Sequence, residues 1–99
     1  MNITKALNGT ELTINLSGRL DTTTAPALEH ELKPVDAAAK SLILDFAGVD
    51  YVSSAGLRVI LSAQKQMTSR QGTLVLHHVQ DAVMEVFEMT GFTDILTFA

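Results

Sequence analysis

A short apolar run, Leu42-Ile43-Leu44-Asp45-Phe46, precedes a long amphipathic stretch from Leu57 to about Arg70, and a second apolar run, Thr73 to His77, comes after it. Strand, helix and strand in that order constrain this chain more than any other feature. Neighbouring parallel strands need a crossover, and the crossover is right-handed with its helix laid against the sheet. The near-continuous apolar character of Leu42 to Phe46 predicts a strand buried on both faces. At about 100° per residue, Gly56, Ile60, Ala63 and Met67 share the face expected to meet the sheet. Arg58, Ser62, Lys65 and Ser69 form the opposite, solvent face.

The flanking sequence extends this unit in both directions. Ile3, Lys5 and Leu7 lead to Asn8-Gly9, a strong signal for a type I′ hairpin turn. Leu12, Ile14 and Leu16 then alternate with polar residues in a strand predicted to end at Gly18. Arg19 to Thr24 reads as a polar loop, with Thr24 as the cap of a helix and Pro26 in its first turn. Leu28, Leu32 and Val35 mark the inner side of that helix, with Glu29 and Glu31 outside. Pro34 should end it near Lys33, and Asp36-Ala37-Ala38-Ala39 adds a turn. After Phe46, Ala47-Gly48-Val49-Asp50 leads to the serine junction. Beyond His77, Gln80 or Asp81 opens a helix with Ala82, Val83, Val86, Phe87 and Met89 inward, and Gly91 stops it. Ile95 to Phe98 is a last short strand. The expected fold class is α/β, a mixed sheet with helices packed against it in the order β-β-α-β-α-β-α-β, all in one domain spanning 1–99.

Composition removes several functions. The net charge is −4 and no Lys/Arg cluster occurs, which argues against a nucleic-acid partner. The absence of cysteine excludes disulfides, thiol catalysis and Cys-based zinc sites. No run approaches a membrane span and the first residues lack a secretory apolar region, so no membrane partner and a cytosolic location are expected. His77 and His78, neighbours on a strand, should point to opposite faces and not share a metal. Asp45 and Asp50 are expected to be divided by a turn, with no third ligand. No metal and no cofactor are predicted. A hydrolase elbow needs glycine on both sides of its serine, and no glycine-rich phosphate loop is present. Tyr51 and Phe87 read as packing residues. The chain is expected to bind and not to catalyse.

The remaining feature is the junction Asp50-Tyr51-Val52-Ser53-Ser54-Ala55-Gly56-Leu57-Arg58. Two adjacent serines each offer a hydroxyl to the orphan N–H groups of a helix start, so either is expected to serve as the cap. Ala55 and Gly56 allow close approach, and a helix N-terminus favours negative charge. Ser54, Leu57, Arg58 and Leu61 fall along one flank, where Leu57 and Leu61 are expected as boundary apolar residues.

Val52-Ser53-Ser54-Ala55-Gly56-Leu57-Arg58 resembles the signature loop of the STAS domains of anti-sigma factor antagonists, or anti-anti-sigma factors. Leu16-Ser17-Gly18-Arg19-Leu20-Asp21 with Thr24-Ala25, and Val83 to Gly91 followed by Ile95-Leu96-Thr97-Phe98, resemble the same family in the same order. The resemblance implies the STAS fold and phosphorylation of the serine two residues before the glycine, which is Ser54. The family commonly has Asp before the acceptor, where this chain has Ser53, an alternative acceptor. It also implies two partners: an anti-sigma factor that is itself a serine kinase, and a PP2C-type serine phosphatase. The implied contact surface comprises Asp21, Thr22, Thr23, Thr24, Ser53, Ser54, Ala55, Gly56, Leu57, Arg58 and Leu61. A STAS subunit of a transport or stress-sensing complex, its serine never phosphorylated, fits the same residues. Family members often carry one more helix after the last strand, and the sequence stops at Ala99 without it.

Overall fold

The computed structural model describes residues 1–32 and 39–99. Among these, five strands form one sheet in the order β1-β2-β3-β4-β5. The strands are β1 (Asn2–Asn8), β2 (Glu11–Leu20), β3 (Ser41–Val52), β4 (Thr73–His77) and β5 (Thr97–Phe98). β1 runs antiparallel to β2, and the other pairs are parallel. The helices are α1 (Ala25–Leu32), α2 (Ser54–Ser69) and α3 (Asp81–Met89). The element order is the one expected. Val35, the stop at Pro34 and the turn at 36–38 lie outside the described residues.

Register explains why one face of the sheet is the core. Leu12, Leu42 and Leu74 lie side by side, as do Ile14, Leu44 and Leu76, and all six are buried. Their neighbours Thr13, Ile43 and Val75 form a row on the other face and are only half-buried. β3 is therefore not buried on both faces, because the helices all stack on one. Ile60, Ala63 and Met67 of α2 and Phe87 of α3 complete that side. Phe87 sits edge-on to Phe46 at 6.2 Å and to Phe98 at 5.3 Å.

Five features differ from the sequence reading. Asn8 pairs with Glu11, so the hairpin loop is Gly9-Thr10. Gly9 has φ +65°, whereas Thr10 stays out of the left-handed region, so a type I′ turn does not form. A β-branched residue resists the positive φ that such a turn demands at both central positions. β2 continues past Gly18 to Leu20, and β3 past Phe46 to Val52. α3 buries only the narrow stripe of Val83 and Phe87, leaving Ala82 exposed and Met89 86% exposed. The last strand shrinks to Thr97–Phe98, because Phe92–Asp94 form a 3-10 turn that leaves Ile95 exposed.

The length of β3 is what positions the serine junction. β4 ends where His77 pairs with Asp45, and β3 runs on beside β2 alone. Two irregularities each give β3 an extra residue, one between Asp45 and Gly48 and one between Val49 and Tyr51. Such bulges bend and twist a strand and re-aim the residues beyond them. At the first, a Cβ on Gly48 would lie 2.6 Å from the Ser17 Cβ and 3.1 Å from the Leu16 carbonyl oxygen, so only glycine fits.

Candidate functional site: a serine pair heading a helix

Ser53 leaves β3 in an extended conformation and holds both sides of the junction. Its N–H donates to the Leu20 carbonyl at 2.9 Å, and its own carbonyl accepts from Leu57 N–H at 3.0 Å. The Ser53 hydroxyl accepts from the Gly56 N–H at 3.4 Å, the cap of α2. Ser54 is the first residue of α2, is exposed, and its hydroxyl makes no hydrogen bond among the described residues. The two serines therefore differ in role, since Ser53 caps and Ser54 faces outward. Ser53→Ala is expected to cost about 0.5–1 kcal/mol, since the bond is long, and Ser54→Ala within about 0.5 kcal/mol. Urea melts check this, and the double variant should be additive.

The loop from Asp21 to Thr24 stands beside this junction. Asp21 Oδ1 accepts from Thr23 N–H at 2.9 Å, the Thr23 hydroxyl at 2.7 Å and Thr24 N–H at 3.1 Å. Thr24, expected as the cap of α1, instead turns its hydroxyl back. It accepts from Asp21 N–H at 2.9 Å and donates to the Arg19 carbonyl at 2.7 Å. The Asp21 side chain thus takes over the orphan N–H groups, as a short carboxylate can in a tight turn. The Thr23 hydroxyl, with the two amides, holds the Asp21 carboxyl down at about 2 from its ordinary 3.8. A carboxylate with a lowered folded pKa adds stability above its ordinary value and loses it as pH falls through the folded one. NMR titration should place the Asp21 midpoint near 2, and a midpoint near 3.8 would contradict the loop geometry.

Gly56 ties the loop to the helix. A Cβ there would lie 2.6 Å from Leu20 Cγ and 3.1 Å from the Leu20 carbonyl oxygen, and Leu20 is fully buried. The first turn of α2 therefore sits directly on the end of β2. Thr22, Pro26 and Glu29 on one side and Ala55, Arg58 and Val59 on the other line a shallow cleft of about 150 Å³. Ser54 and the Asp21 loop stand at the same end of the sheet.

A family model described as "Mlab, STAS domain" matches residues 3–97. The chain belongs to the STAS domain family. It is 44% identical over 85 residues to BtrV of Bordetella bronchiseptica, which bears the name of an anti-sigma factor antagonist, covering 85% of this chain and 73% of that protein. The anti-sigma-B factor antagonist of Bacillus subtilis is 27% identical over 96 residues, or 97% of this chain and 88% of its own. Among solved structures, the anti-sigma factor antagonist SpoIIAA in its unphosphorylated form superposes with a TM-score of 0.85 at 18% identity, covering 99% of this chain and 88% of that one. SpoIIAA in its phosphorylated form gives 0.78 at 17% identity, covering 99% and 91%. At such identities these two share the fold alone.

In this STAS domain most of the predicted surface comes together. Thr22, Ala55 and Arg58 line one cleft, with Ser54 and the Asp21 loop beside it. Leu57 does not join them: it is 7% exposed and part of the core. Helical spacing puts it on the flank of α2 away from the α1 cleft, which Ala55, Arg58 and Val59 line, so it packs beneath the surface. Leu61 is half-buried and borders a different groove. Arg58 is exposed and makes no ion pair among the described residues.

Three further residues of this STAS domain depart from expectation. Tyr51 is exposed, not packed inside, and the Arg19 guanidinium lies 4.1 Å from its ring centroid. Sequence alone could not pair them, because Arg19 and Tyr51 become neighbours only through the second bulge. His78 has φ +57° and leaves the strand, so the His77 and His78 rings stand 5.7 Å apart and not on opposite faces. His78 Nδ1 lies 3.1 Å from Asp45 Oδ2, and no turn divides Asp45 from Asp50, since β3 runs through both. Partial burial raises the Asp45 carboxyl, but the Ala47 amide and His78 more than offset it and the pKa is lowered. Among the described residues no group of three or more His, Cys, Asp or Glu side chains is placed to hold a metal ion. No described helix is long and apolar enough to cross a membrane.

Proposed function

We propose that this STAS domain is an anti-sigma factor antagonist, a binding module and a kinase substrate, not an enzyme. Its unphosphorylated form binds an anti-sigma factor that is also a serine kinase, and so frees a sigma factor in the cytosol. Phosphorylation of Ser54 ends that binding, and a PP2C-type serine phosphatase restores it. The observation that carries this reading is the Ser54 hydroxyl: exposed, without a hydrogen bond among the described residues, and placed at the helix start while Ser53 does the capping. A kinase can reach that oxygen without first breaking a bond that holds the fold. The α2 N-terminus and Arg58, one turn on, favour the resulting negative charge. The names carried by the relatives, and the existence of SpoIIAA in a phosphorylated form, support the same reading.

A competition assay tests it. With a complex of a serine-kinase anti-sigma factor from the same genome and its sigma factor, the unphosphorylated chain should displace the sigma factor without ATP. With ATP, displacement should reverse as Ser54 is modified. A chain that neither binds the kinase nor displaces the sigma factor would overturn the reading.

A further inference from the structure

We propose that the groove between α2 and Ile95 is a second contact surface for the same anti-sigma factor, seating an acidic amphipathic helix of that partner. This rests on the reading of Ser54 as the switch contact. The groove has a volume of about 630 Å³ and is lined by Leu61, Gln64, Lys65, Thr68, Ser69 and Ile95. Ile95 is 51% exposed there, a large apolar side chain facing solvent. On the groove floor the Gln64 Nε2 donates to the Thr68 hydroxyl at 3.1 Å.

Geometry joins the groove to the switch. Ser54, Arg58, Leu61, Lys65 and Thr68 recur at helical spacing, so they form one strip down α2 about 21 Å long. Arg58 lines the cleft beside Ser54, and Leu61, Lys65 and Thr68 line the groove. Charge then selects the occupant. The charged residues of α2 are Arg58 and Lys65, both cations in a chain of net charge −4. A helix with carboxylates opposite these two and apolar side chains over Leu61 and Ile95 satisfies the whole strip.

The test is affinity of a serine-kinase anti-sigma factor from the same genome for wild type, Ile95→Asp and Lys65→Glu, by titration calorimetry, with phosphate incorporation at Ser54 measured alongside. Both positions are exposed, so the fold should persist, and hydrogen exchange of the wild-type complex is a second readout independent of variants. Each variant should bind at least tenfold more weakly, Ser54 should still be phosphorylated at saturating kinase, and amides from Leu61 to Ser69 should gain protection in the complex. Binding within twofold of wild type, with Ser54 phosphorylated and no protection gained, would overturn the groove and leave the switch standing. Absence of kinase binding and phosphorylation in wild type would overturn both. Self-association abolished by Ile95→Asp would assign the groove to α3 of a second copy, which carries Asp81, Glu85 and Glu88, and would also overturn the proposal.

Discussion

Phosphorylation of Ser54 is expected to weaken binding of the anti-sigma factor about a thousandfold, a change of about 4 kcal/mol. The fold should hardly move. Ser53 keeps the cap through its bond to Gly56 N–H, and the phosphate, with a charge of about −1.5 to −2, sits at a helix end that tolerates it. The loss therefore has to arise in the interface. A like-charge pair at about 8 Å, with an effective dielectric near 20, costs about 2 kcal/mol before salt screens it. Burying the dianion against a partner without matched donors costs several kcal/mol more, and its bulk lifts the partner from the α2 strip. Burial and bulk should outweigh repulsion. Ser54→Asp should then inhibit strongly, and raising salt to about 0.5 M, where the screening length is near 4 Å, should restore little affinity. Near-wild-type affinity in high salt would assign release to repulsion instead.

Phe87→Ala is expected to remove about 3–5 kcal/mol of stability, the usual cost of truncating a buried phenylalanine. A domain of this size has about 5–15 kcal/mol in total, so the melting temperature should drop by roughly 15–30 °C. Phe87 is fully buried, and its ring meets Phe46 of β3, Phe92 of the 3-10 turn and Phe98 of β5. It is the contact through which α3 and the chain's end hold the sheet. Met89→Ala, two residues on and exposed, should change stability by less than about 0.5 kcal/mol. Equal losses in the two variants, by denaturant melts, would contradict the single-stripe packing of α3.

The order of elements and the solvent and core faces of α2 were legible because both follow from local periodicity. Gly56, Ile60, Ala63 and Met67 are buried and Arg58, Ser62, Lys65 and Ser69 largely exposed, as their spacing predicts. The features that escaped the sequence depend on pairing at a distance. Nothing local says that β3 outruns β4 by seven residues, because its continuation Phe46 to Val52 is held by β2 through two bulges. Leu57 reads as a boundary residue because its burial comes from tertiary packing, which helical periodicity cannot see. The division of labour between Ser53 and Ser54 also needed the backbone: either serine could cap on sequence alone, and only the extended Ser53 does.

The most direct test of the switch is mass mapping after incubation with a serine-kinase anti-sigma factor from the same genome and ATP. Wild type should gain one phosphate on the peptide containing Ser54, Ser53→Ala should gain as much, and Ser54→Ala none while still binding the kinase. Equal phosphate on Ser54→Ala and wild type, with loss only in Ser53→Ala, would contradict the account.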